Sequence, residues 1–121
     1  MTQDAFEKDY YQRISGIKIP EGYKVLESVD NGEFLTITVL EFDKAECKSV
    51  MDSIKFDLIP QGKNPNLIGL YLLDKENEQI LKNKRLLRNW GQTDKNTWNY
   101  VLDTVSCRLY CEIGYPDPGG N

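Results

Sequence analysis

The chain predicts an α+β domain, a single antiparallel sheet of about four to six strands with two or three helices packed on one face. Three observations carry that prediction. An Asn31-Gly32 pair stands between two segments of alternating polarity, residues 23–29 and 33–42. An apolar stripe runs at helical spacing through Cys47, Val50, Met51 and Ile54, and the segment 105–115 alternates again near the C-terminus.

The first element reads as a helix. Asp4 followed by Glu7 resembles a capping box, and Phe6, Tyr10, Ile14 and Ile17 recur at helical spacing. Gly16 supplies a left-handed terminator and Pro20 blocks continuation, which places the helix at residues 4–15. The Asn-Gly pair then accepts the positive φ angles of a hairpin turn. On the second hairpin strand Leu35, Ile37 and Val39 point to one side and Thr36 and Thr38 to the other, so one face is expected to be buried and the other at least partly wet. The buried face is expected to meet the stripe of a second helix, residues 44–55, which Asp43 caps with Glu46 in its first turn.

Residues 60–65 form a Pro- and Gly-containing connector, and residues 68–73 read as a third strand. Over residues 78–90 helix and strand both stay open: Ile80, Leu81, Leu86, Leu87 and Trp90 fit a short helix, while residues 74–78 resemble a turn into a strand. Residues 97–102 and 105–115 flank Asp103-Thr104 as a closing hairpin, and 116–121 form a flexible tail. The whole chain, 1–121, is the right length for one domain with one core.

Composition narrows the chemistry. The 121 residues contain no histidine, so Ser-His-Asp and Cys-His relays have no base. Glu27, Glu33 and Glu41 offer a carboxylate-dependent enzyme as a third reading, although their spacing is a weak signal and solvent-facing strand glutamates are the simpler explanation. No calcium-loop pattern, no thiol pairing of the zinc type and no phosphate-gripping glycine loop is present, so no metal and no cofactor is expected. A net charge of −4 repels a phosphate backbone, which argues against nucleic acid. Lys82, Lys84, Arg85 and Arg88 stand among Glu76, Glu78 and Asp94 and read as a solvated mixed face, or as a local patch for an acidic partner.

No run approaches the roughly 18 to 20 apolar residues of a membrane-spanning helix, so no membrane insertion is expected. The N-terminus has no basic start followed by an apolar core, which favours a cytoplasmic location; a removed signal would make the alternative periplasmic or lipid-anchored. An odd cysteine count argues against a disulfide framework. Cys107 and Cys111, four apart on a strand, would lie roughly 13 Å from each other, beyond disulfide reach, and read as buried thiols on one strand face. A bridge from Cys107 to Cys47, or a reactive thiol, stays open.

The aromatic residues are the remaining candidates for a binding surface. Trp98 reads as core, whereas Trp90, beside Gly91 and near Arg88, is either a core edge or an exposed anchor. Trp and Arg are over-represented among interface hot spots. Tyr11 lies off the helix stripe beside Tyr10 and joins Trp90 and Arg88 as a candidate partner-binding residue.

Two segments together, Ile14-Ser-Gly-Ile-Lys-Ile-Pro20 and Leu109-Tyr-Cys-Glu-Ile-Gly-Tyr-Pro-Asp117, resemble small bacterial α+β proteins that serve as immunity proteins of contact-dependent toxin systems, and also small exported bacterial lipoproteins of unassigned role. No lipid-accepting cysteine stands at the N-terminus, which departs from the lipoproteins. The resemblance implies a non-enzymatic inhibitor that neutralises a cognate toxin by occluding it, with no residue carried over. An acidic domain of this size suits a basic partner, because complementary fields speed encounter.

Overall fold

The computed structural model describes residues 6–30, 35–60, 67–75 and 85–115. Its elements in chain order are α1 (Lys8–Ser15), β1 (Lys24–Asp30), β2 (Leu35–Glu41), α2 (Lys44–Ser53), β3 (Asp57–Leu58), a 3-10 helix η1 (Ile68–Leu72), β4 (Leu86–Gln92), β5 (Thr97–Asp103) and β6 (Arg108–Gly114). The strands form one antiparallel sheet in the order β1-β2-β6-β5-β4-β3. Both expected hairpins pair, β1 with β2 and β5 with β6; the Asn31-Gly32 turn and the tail 116–121 lie outside the described residues.

Helix α1 begins later than its spacing predicts. Glu7 is the N-cap and makes no side-chain cap bond, Asp4 lies outside the described residues, and Gly16 ends the helix in the left-handed conformation at φ 72°. In α2 the expected cap is present: the Asp43 carboxylate accepts from the Glu46 N–H at 2.8 Å. Cys47, Val50 and Ile54 of the stripe are buried, but Met51 is 37% exposed.

The expected pairing of faces is reversed. Leu35, Ile37 and Val39 pack with Ile59, Leu67, Leu73, Leu86, Val101 and Tyr110, away from the helices. Tyr11 of α1, with Val50 and Ile54 at α2, shares its cluster with Leu40, Tyr100, Leu102, Leu109, Cys111 and Ile113 on the other face. The expectation of a wet face fails with it, since Thr36 and Thr38 are buried. The reason is the tyrosine that overlies them: the Tyr11 hydroxyl bonds Thr36 Oγ1 at 3.1 Å and Thr38 Oγ1 at 2.9 Å, so the threonines can leave water with their hydrogen bonds intact.

Residues 68–73 form no strand. Ile68 and Tyr71 are exposed while Leu67 and Leu73 are buried, and the Leu73 N–H closes on the Leu70 carbonyl at 3.1 Å, a repeat of three rather than two. The ambiguity over 78–90 resolves for its described part, because Leu86–Gln92 is the strand β4. The last strand begins at Arg108, not Val105: the Asp103 carboxylate accepts from the Val105 N–H at 2.9 Å and the Ser106 N–H at 3.3 Å, which holds 104–107 as a turn. Cys107 therefore leaves the strand face expected to carry it with Cys111 and sits in the turn at φ 59°.

Candidate functional site

Strand alternation and register decide which side chains meet. Trp90 pairs with Asn99, Asn99 with Glu112, and Glu112 with Ile37, so these four project to the face away from the helices. Arg88, two residues before Trp90 on β4, projects the same way, and its Cζ lies 4.9 Å from the Trp90 ring centroid. Its Nε donates to Asn99 Oδ1 at 3.2 Å, which holds the guanidinium plane over the indole. Trp90 remains 58% exposed. Of the two readings open for Trp90, the structure places it at the surface; the stretch carrying it is a regular strand rather than an irregular loop.

Behind this pair lies a buried carboxylate. Glu112, at 4% exposure in a central strand, accepts from the Ile68 N–H at 3.1 Å and from the Gly69 N–H. Burial pushes its carboxyl above the ordinary range, and the two backbone donors oppose that shift. The approach favours glycine, because a Cβ at residue 69 would stand 2.9 Å from Glu112 Oε2 and 2.8 Å from Leu35 Cδ1 and would push these side chains aside. Glu112 thereby fixes the start of η1 beside β4. Ile68, 70% exposed, joins Arg88, Trp90 and Glu112 around a shallow cavity of about 140 Å³.

Trp98 lies on the opposite side of the sheet, partly buried against the helix-side cluster, and donates its indole N–H to Asn89 Oδ1 at 2.9 Å. Its ring occupies the space of a side chain at residue 91, where a Cβ would fall 2.4 Å from Trp98 Cζ2. The core expectation for Trp98 is met only in part.

Tyr11 does not belong to the surface. It is 1% exposed, on the helix side, and its carbonyl accepts from Tyr100 Oη at 3.1 Å and from Ser15 Oγ at 3.0 Å in addition to the threonine bonds. Off-stripe placement misread it, since α1 crosses the sheet with Tyr11 turned inward and Tyr10 at the flank. Burial raises the hydroxyl pKa of Tyr11 and of Tyr100, keeping both neutral donors. Among the candidate carboxylates, Glu27 accepts from the Asp74 N–H at 3.0 Å, Glu41 faces Arg108 at 3.5 Å, and Glu33 lies outside the described residues.

The sequence reading did not single out Glu112, Asn99 or Ile68. The available signal was Glu112 itself, a charged residue flanked by Cys111 and Ile113 in the last alternating segment. Chemically the site offers a flat aromatic face, a guanidinium, an apolar side chain and a partly desolvated carboxylate. Among the described residues no three His, Cys, Asp or Glu side chains cluster as metal ligands, and no helix is long and apolar enough to cross a membrane. Comparison with protein-family models, with curated proteins and with solved structures returns no match for the chain.

Proposed function

We propose that the chain is a non-enzymatic protein-binding domain that uses the Trp90 and Arg88 surface as its anchor, and that it acts as an immunity or inhibitor protein occluding a bacterial toxin. One observation carries the reading: Trp90 is 58% exposed although the fold has an interior to offer it, and Arg88 holds it in a fixed orientation. An indole pre-ordered in this way enters a partner's pocket with little side-chain entropy left to lose, which is how aromatic and arginine residues come to dominate interface energies. Ile68 extends the apolar contact, and the net charge of −4 favours encounter with a basic partner. An acidic inhibitor in the cytoplasm requires no cofactor and no nucleic acid.

The test is growth rescue in a host that expresses a candidate toxin, taken from the reading frame directly upstream of this chain's own. Wild type is expected to restore growth and Trp90→Ala to fail while remaining folded. Equal protection by Trp90→Ala would remove the surface from the function, and failure of wild type to protect would remove the inhibitor reading.

A further inference from the structure

At one end of the sheet the start of α1 meets the last residue of β1, the second residue of β2 and the residue that follows β6. Glu7, Tyr10, Tyr11, Asp30, Thr36 and Tyr115 line a cavity of about 310 Å³ there. That volume falls within the roughly 300 to 1,000 Å³ of small-ligand sites. The cavity belongs to the helix side, with the buried Tyr11 and Thr36 among its walls, and lies across the sheet from Trp90.

The chemistry of this lining is one-sided. All six side chains carry oxygen, two of them are carboxylates, and none is basic. Two of the hydroxyl protons are already committed, because Tyr115 Oη donates to Asp30 Oδ1 at 3.1 Å and Thr36 Oγ1 donates to the Val29 carbonyl at 3.1 Å. Those two oxygens therefore offer a ligand lone pairs and no proton. Glu7 is exposed, and its carboxylate makes no cap bond to α1. The basic residues of the helix are engaged elsewhere: Lys8 pairs with Glu21, and the Arg13 guanidinium lies 5.7 Å from the Tyr10 ring centroid. Neither lines the cavity. The Tyr10 and Tyr11 rings stand at 86° with centroids 6.1 Å apart, so they form a corner rather than a stack and add apolar wall to the acceptor oxygens.

We propose that this cavity is a binding site for an organic cation with N–H donors, a primary ammonium on an apolar stem. The ammonium brings three donors and no acceptor, which matches a lining rich in acceptors. Glu7 and Asp30 supply the opposite charge, the hydroxyl oxygens take the remaining N–H groups, and the tyrosine rings hold the stem and attract the charge through their faces. A bare metal ion would find only two carboxylates in this space. The same chemistry arrives either as a free alkylamine or as a lysine side chain of another protein. The site is separate from the Trp90 surface and stands whether or not that surface binds a partner.

The full chain, isotope-labelled for NMR, is titrated at neutral pH with n-butylammonium chloride, with 1-butanol as its uncharged match, calcium chloride as the metal probe, and Nα-acetyl-lysine methylamide as a blocked lysine. Saturable shifts of the amides of Glu7, Asp30, Thr36 and Tyr115 are expected with butylammonium, and about tenfold weaker binding with butanol, since hydrogen bonds to charged groups are the stronger ones. Blocked lysine binding as well as butylammonium assigns the site to a protein's side chain; its exclusion assigns a free amine. Glu7→Gln, at an exposed position without a cap bond, should leave Tm unchanged and weaken butylammonium about two- to fivefold, the range of a solvent-exposed ion pair. Asp30→Asn should weaken it by a similar factor. No saturable shift with either cation, an equal response to butanol, a response to calcium alone, or undiminished affinity in both variants would each overturn the proposal.

Discussion

On the helix side of the sheet, the hydroxyls of Tyr11, Thr36, Thr38, Tyr100 and Ser15 answer one another inside the protein, whereas the side carrying η1 ends in an indole, a guanidinium and an isoleucine turned to solvent. Both sides bury large apolar residues, so the difference is not one of core against surface. It lies in where each side stops. The helix side closes its polar groups with local partners, as a region does when its task is to hold the fold. The η1 side places a half-exposed Trp90 at the rim of a packed cluster, and that rim is free to act on something else.

Both sides should resist truncation at their centres, and this is where the largest effect is expected. Ile37 is fully buried on the η1 side, and Ile37→Ala should cost about 2 to 5 kcal/mol in urea unfolding. A cost below half a kcal/mol would mean that the η1 side has no core of its own. On the helix side, Tyr11→Phe keeps the ring and takes one hydrogen-bond partner from each of Thr36 and Thr38, at an expected cost of about 0.5 to 1.5 kcal/mol, read from the same unfolding curves. No loss would indicate that Ser28, which bonds Thr38 Oγ1 at 2.6 Å, and the Val29 carbonyl, which accepts from Thr36 Oγ1 at 3.1 Å, suffice for the threonines.

A smaller effect separates the sides by its pH dependence. Burial raises the Glu112 carboxyl above its ordinary 4.5, so its folded value stands above its unfolded one. Such a group contributes stability that is fully present below the unfolded pKa and is lost as pH rises through the folded value. Acidification from neutral toward 4.5 should therefore stabilise wild type relative to Glu112→Gln. Thermal unfolding of both proteins across that window checks the sign, and the opposite slope would mean that the Ile68 and Gly69 donors outweigh burial.

The parts of this architecture that depend on neighbours in sequence were readable from it. Asp43 with Glu46 fixed a cap, Gly16 fixed a terminus, and alternation on both hairpins fixed strands that pair. What depended on distant residues was not. The face of β2 that meets the helices is chosen by Tyr11, whose hydroxyl satisfies threonines that alternation alone assigns to water. Residues 68–72 carry a strand-like composition, yet Glu112, remote in sequence, captures two of their N–H groups and sets a 3-10 turn. For the site, Trp90 and Arg88 were legible because their residue types and close spacing suffice; Glu112 and Ile68 join them only through pairing across β4, β5 and β6.

The most direct test of the contrast is urea unfolding of Trp90→Ala beside Ile37→Ala. If the rim of the η1 side is spared for binding, removing the largest side chain on it should change stability by less than about 0.5 kcal/mol, the usual range for surface positions, against several for Ile37. A Trp90→Ala loss of about 2 kcal/mol or more would place the indole among the groups that hold the fold and contradict the account.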